Sequence, residues 1–87
     1  MQDLEYSKYV DLAIKFAKSY KVEVSHHILD VMASAMMTRD KVRQGGSFVQ
    51  AVAKNDLLGA VSYADQEVMQ NIRIIVLAYQ YAYFHNY

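Results

Sequence analysis

Val68-Met69-Gln70-Asn71-Ile72-Arg73-Ile74-Ile75-Val76-Leu77-Ala78-Tyr79-Gln80-Tyr81-Ala82-Tyr83-Phe84 is apolar on nearly every side of a helical wheel. Val68, Ile72, Ile75, Val76, Tyr79 and Tyr83 form one helical stripe, and Ile74, Leu77, Ala78, Tyr81 and Phe84 form a second. A helix apolar all round has to be surrounded. The remaining chain has room for about three more helices of ordinary length. This segment is therefore expected at the centre of a small bundle or as half of a dimer interface. The fold class that follows is all-α: a bundle of about four helices in one domain, with the C-terminal helix central and the chain homodimeric.

The chain has 87 residues, a size that buries only roughly 60% of its unfolded surface. A second copy would relieve that shortage. There is no cysteine, so neither a disulfide framework nor a Cys-ligated zinc site can supplement the core, and a reducing, cytoplasmic setting is compatible. The 54% hydrophobic content separates the chain from disordered sequences. Nine basic and nine acidic residues give zero net charge, which disfavours both a basic nucleic-acid binder and an acidic mimic of DNA. Met1-Gln2-Asp3-Leu4-Glu5-Tyr6 lacks a basic region followed by an apolar run, so no signal peptide is expected. Arg73 and Gln80 interrupt the C-terminal run, which falls short of the ~20 apolar residues of a membrane span. No membrane association and no cofactor are expected.

Working backwards from the C-terminal run, the first helix is expected over Leu4 to Tyr20. Tyr6, Tyr9, Val10, Ala13, Phe16, Ala17 and Tyr20 recur at spacings of three and four, with Lys8, Asp11, Lys15 and Lys18 opposite. Ser25 is placed to cap a second helix from His26 to about Gln44. Its stripe, Ile28, Val31, Met32, Ala35, Met36, Arg39 and Val42, leaves Met37 on the polar side. Either this helix is covered on two faces or Met37 is exposed. Gly45-Gly46 is expected to close it, because glycine takes the left-handed conformation freely. Ser47-Phe48-Val49-Gln50 then fits the capping box, with Ser47 as cap and Gln50 reaching back.

The third helix is expected to carry Val49, Val52, Ala53, Leu57, Ala60, Val61 and Ala64 on one stripe. That stripe stays in phase into Val68 and Ile72, and no glycine or proline divides them. A merged helix would be about 57 Å long. A break near Asp65 is favoured, with Asp65 as the cap and Glu67 in the first turn.

Few residues suggest chemistry. His26 and His27 are neighbours, pointing about 100° apart on a helix, and so do not make the i,i+4 pair that binds zinc. Asp56 lies between Ala53 and Ala60, near the apolar stripe. A buried carboxylate needs a partner, and Arg39 and Arg73 are the candidates. Gly45-Gly46-Ser47 opens a helix but lacks the Lys-Ser/Thr of a phosphate-binding loop. Arg39-Asp40-Lys41-Val42-Arg43 is locally basic. Five of the eight tyrosines follow residue 60, and tyrosine favours interfaces because it joins apolar area to a polar tip. The candidate partner-binding residues are Met37, Arg39, Lys41, Arg43, Tyr79, Tyr81 and Tyr83. The candidate structural residues are Gly45, Gly46, Ser47, Gln50, Asp56 and Asp65.

Gly45-Gly46-Ser47-Phe48-Val49-Gln50-Ala51-Val52, followed by Asn55-Asp56-Leu57 and Ala64-Asp65, resembles a pattern in small proteins encoded by phages, prophages and related mobile elements. Those proteins usually carry Asn where this chain has Val68. The resemblance spans Gly45 to Asp65 and implies a mobile-element origin without catalytic residues. Such proteins often bind and block a host protein, including components of antiviral defence. The expected function is therefore a non-enzymatic interaction protein acting by steric occlusion in the host cytoplasm. The competing expectation is a small nucleic-acid-associated regulator using Arg39, Lys41 and Arg43 with Lys15, Lys18 and Lys21.

Overall fold

The computed structural model of the chain describes residues 4–85, with side chains described through Gln80. Helix α1 spans Leu4–Ser19, α2 His26–Arg39, α3 Ser47–Ala53, α4 Leu57–Tyr63, α5 Gln66–Gln70 and α6 Ile72–His85. All regular structure among the described residues is helical, in six helices where about four were expected.

Three of the helices end the same way, and glycine has no part in it. After α1, the Val22 N–H donates to the Ala17 carbonyl at 3.0 Å and the Lys21 N–H to the Lys18 carbonyl at 2.9 Å, with Lys21 at φ 57°. After α2, Val42 donates to Met37 at 2.9 Å and Lys41 to Thr38 at 3.1 Å, with Lys41 at φ 61°. After α3, Asp56 donates to Ala51 at 2.8 Å and Asn55 to Val52 at 3.0 Å, with Asn55 at φ 59°. These are Schellman closures with a non-glycine residue in the left-handed position.

Two expectations change as a result. Helix α2 stops at Arg39 rather than Gln44, closed by Lys41, and no glycine has a positive φ. The expected third helix divides at Asn55, so its apolar stripe is reset in phase: Leu57 and Val61, expected in the core, are exposed.

Gly45 serves close approach instead of a left-handed turn. A Cβ there would lie 2.6 Å from Ser34 Oγ, 2.8 Å from Val49 Cγ1 and 2.9 Å from Thr38 Oγ1. Its N–H donates to Thr38 Oγ1 at 2.9 Å, and its carbonyl accepts from Gln50 Nε2 at 2.7 Å. Next to it, Gly46 has open space and is the N-cap of α3, without a side-chain cap bond. The capping box is thus corrected. Ser47 is the first helical residue, and Gln50 reaches past the cap to the Gly45 carbonyl.

Caps with side chains occur at three other helix starts. Ser25 Oγ accepts from the Ile28 N–H at 3.2 Å. Asp56 Oδ1 accepts from the Gly59 N–H at 3.0 Å. Asp65 Oδ1 accepts from the Val68 N–H at 2.8 Å, which places the break between α4 and α5 at Asp65. Asp56 is therefore an exposed cap, and not a buried partner of Arg39 or Arg73. The Val68–Phe84 stretch is itself broken at Asn71, whose side-chain amide donates to the Glu67 carbonyl at 2.9 Å. The described chain measures 31 × 29 × 28 Å, well short of the length a merged helix would need.

The hub is α2, not the C-terminal helix. It packs against α1, α3 and α6, while α6 lies along α2 and meets α1 only marginally. Ile28, Met32, Ala33, Ala35, Met36 and Met37 of α2 are buried from opposite sides. Alanines admit close neighbours, and unbranched methionines fill the irregular gaps. Met37 at 2% exposure is core, so the helix is covered on two faces. Tyr9, Ala13, Phe16 and Ala17 of α1 and Ile74, Ile75 and Ala78 of α6 join that core, together with Phe48, Val49 and Ala51 of α3, Ala60 of α4 and Val68 of α5.

Candidate functional site

The expected basic surface is largely taken up internally. Arg39 has a side chain 8% exposed; its Nε donates to Asp40 Oδ1 at 2.7 Å and its Nη2 to Asp40 Oδ2 at 3.0 Å. Its Nη1 donates to the Tyr79 carbonyl at 2.6 Å. The Tyr9 hydroxyl donates to Asp40 Oδ2 at 2.6 Å. This network ties α1, the end of α2 and α6 together. Arg39 and Tyr79 thus meet as neighbours in the fold, and Met37 lies below the surface. Lys41 is exposed at the left-handed closure of α2. Arg43 stands over the Tyr6 ring, 5.4 Å from its centroid, and donates to Met37 Sδ at 3.6 Å. The side chains of Tyr81 and Tyr83 lie outside the described residues.

Arg43 also borders a groove that sequence reasoning missed, polar at this end. Its first part, about 410 Å³, is lined by Tyr6, Asp30, Ser34, Arg43, Gln44 and Gly46. A second part of about 320 Å³ shares Asp30, Ser34 and Gly46, adds His27, Ser47, Tyr63 and Asp65, and is lined besides by the apolar Val31, Phe48, Val49 and Val68. Tyr6 donates its phenolic hydrogen to Asp30 Oδ1. That bond, with burial and the Asp30 charge, raises the Tyr6 pKa above its ordinary value. Asp65 is held below the usual carboxylate range, first by the Val68 N–H and then by its bond with His27. His27 Nε2 lies 3.0 Å from Asp65 Oδ2, with both side chains roughly half exposed. Although serines share the groove, none hydrogen-bonds His27 among the described residues, and the pair clamps the start of α2 to the α4–α5 turn. Among the described residues no three His, Cys, Asp or Glu side chains are placed to hold a metal ion.

The other feature is apolar. Leu57 is 71% exposed, Leu58 81% and Val61 46%, all on one face of α4, which has no charged residue. Beside Leu57 opens a cleft of about 200 Å³ lined by Val52, Leu57, Ala60, Ile72 and Val76 together with Asn55 and Asp56. At the far end of the helix, Tyr63 lines the groove.

No family model, no curated protein and no solved structure matches the chain. Among the described residues no helix is long and apolar enough to cross a membrane.

Proposed function

We propose that the chain is a non-enzymatic interaction protein of the phage or mobile-element type, working as a homodimer in the host cytoplasm and covering a surface of a host protein. Components of antiviral defence are the first class to screen. The observation that carries this reading is the exposed face of α4: two leucines and a valine free of charge, beside an apolar cleft. An apolar centre bordered by polar groups and tyrosine is the anatomy of a protein–protein contact, and the groove at Tyr63, His27 and Asp30 supplies such a border. Contacts elsewhere weigh against the nucleic-acid alternative. Arg39 is committed to Asp40 and Tyr79, and Arg43 to Tyr6 and Met37, which scatters the cations that alternative needs.

The test is retention of host proteins on immobilised wild type and on Leu58→Asp. Because Leu58 touches mostly solvent, the variant is expected to fold and to lose the retained proteins. Equal retention by both would contradict the reading.

A further inference from the structure

We infer that α4 and α5 together form a lid over the apolar end of the groove, latched to the hub helix by His27 and Asp65, and that this lid opens as a unit while the core of α1, α2 and α6 stays closed.

The lid is held by little. Helix α4 buries only Ala60 and α5 only Val68, whereas Leu57, Leu58, Val61, Tyr63 and Met69 are exposed. Helix α4 packs on α3 and meets the other helices only marginally, and α5 lies closely along none. A segment with so few buried contacts belongs to the low-stability end of a structure. Breaks in regular structure bound it: the left-handed Asn55 and the cap Asp56 before α4, and Asn71 after α5.

One polar link ties the lid to the rest of the fold. Among the described residues, the hydrogen bonds of α4 and α5 run within the segment or to Asp56 and Asn71 at its ends, with a single exception. That exception joins His27 Nε2 to Asp65 Oδ2 at 3.0 Å. His27 stands in the first turn of α2, so the bond fastens the loosest part of the chain to its most deeply packed helix. Both side chains reach water. Solvent can therefore replace the bond when the lid lifts, and its contribution is that of a surface pair.

What the lid covers is the second part of the groove. Tyr63, Asp65 and Val68 share its lining with Val31 of α2 and Phe48 of α3, so lifting the segment removes that wall and bares the two apolar side chains. Helices of seven and five residues do not persist alone in water. Opening therefore also melts α4 and α5, and their amides report it.

The experiment is amide hydrogen exchange, read residue by residue by NMR, for wild type, His27→Ala and Asp65→Ser. Serine keeps an acceptor for the cap but is too short to hold His27. The reporters are the Ala60, Ala64 and Met69 amides, each hydrogen-bonded within the lid or to Asp56, against those of Met32 to Met36 in α2. In wild type the lid amides are expected to share one opening constant, at least about tenfold above that of the α2 amides. Either variant is expected to raise the lid constants together, by roughly twofold to fivefold, and to leave the α2 amides unchanged. Lid amides that exchange as slowly as α2 overturn the inference. So do constants for Ala60 and Met69 that differ widely, which would mean independent fraying, and so does a change in either variant that reaches α2 equally. Lid amides that respond to neither variant overturn the latch.

Discussion

The Tyr9 hydroxyl and the Arg39 guanidinium share one carboxylate, Asp40: Tyr9 donates to Oδ2 at 2.6 Å, and Arg39 donates to Oδ1 at 2.7 Å and to the same Oδ2 at 3.0 Å. Asp40 thereby joins α1 to the end of α2, and Arg39 extends the link to the Tyr79 carbonyl of α6. Since the Arg39 side chain is almost covered, removing its carboxylate leaves a cation short of solvent and of its partner. Asp40→Ala is expected to lower stability by about 1–3 kcal/mol, and Tyr9→Phe by about 1 kcal/mol. Chemical denaturation checks both. An unchanged midpoint in Asp40→Ala would show that the network stabilises nothing.

Left-handed closures predict a gain from substitution. A side chain in that conformation costs roughly 1–2 kcal/mol that glycine does not pay. Lys41→Gly and Lys21→Gly should each raise the unfolding free energy by up to about 1 kcal/mol, the rest being offset by the greater freedom of glycine in the unfolded chain. A loss of stability in either variant would argue against the positive φ at that residue.

Gly45 and Gly46 are adjacent and should behave oppositely. Gly45→Ala forces a methyl against Ser34, Val49 and Thr38, an overpacking expected to cost about 1–3 kcal/mol. Gly46→Ala meets open space and is expected to cost no more than about 1 kcal/mol, the disadvantage of alanine against glycine at an N-cap. Ser47→Ala should be equally mild, because Ser47 is not the cap. Melting midpoints of the three variants decide the register of α3: a large loss in Ser47→Ala would restore Ser47 as the cap.

Asp65 predicts a pH dependence. Its carboxyl is depressed in the fold, so its stabilising contribution is fully present above the unfolded value of about 4 and is lost as pH falls through the folded value. Asp65→Asn retains an N-cap acceptor but removes the titration. Relative to wild type, the variant should lose stability at neutral pH and less on acidification below about pH 4. Parallel stability curves for the two proteins would exclude Asp65 as a source of the acid sensitivity.

The parts of this fold legible in the sequence were those written in local chemistry. The α1 stripe, the Ser25 cap and the break at Asp65 each depend on residues within one or two turns, and the structure places them where those residues indicate. The end of α1 was read to within one residue, but the end set by Lys41 was not legible, because lysine has no intrinsic preference for the left-handed conformation and Gly45-Gly46 offered a cheaper stop nearby, and the helix was carried past Asn55. Once Asn55 breaks the helix, an apolar stripe that looked continuous turns outward at Leu57 and Leu58. Met37 and Arg39 were offered as partner-binding residues for a related reason: Arg39 fell on the apolar stripe and the cover of Met37 stayed open, because which sides of α2 are covered depends on α1 and α6 arriving from distant parts of the sequence. The groove joining Tyr6, Asp30, His27 and Asp65 unites three separate segments and left no local trace.

The most direct test of the central claim, that α4 presents an outward apolar face, is the thiol-labelling rate of Leu58→Cys. The natural chain has no cysteine, so a single reporter is clean, and Met37→Cys supplies the buried control. Labelling at position 58 is predicted to be fast, while position 37 stays slow. Labelling of position 58 as slow as that of position 37 would mean that the chain itself covers α4 and would contradict the account.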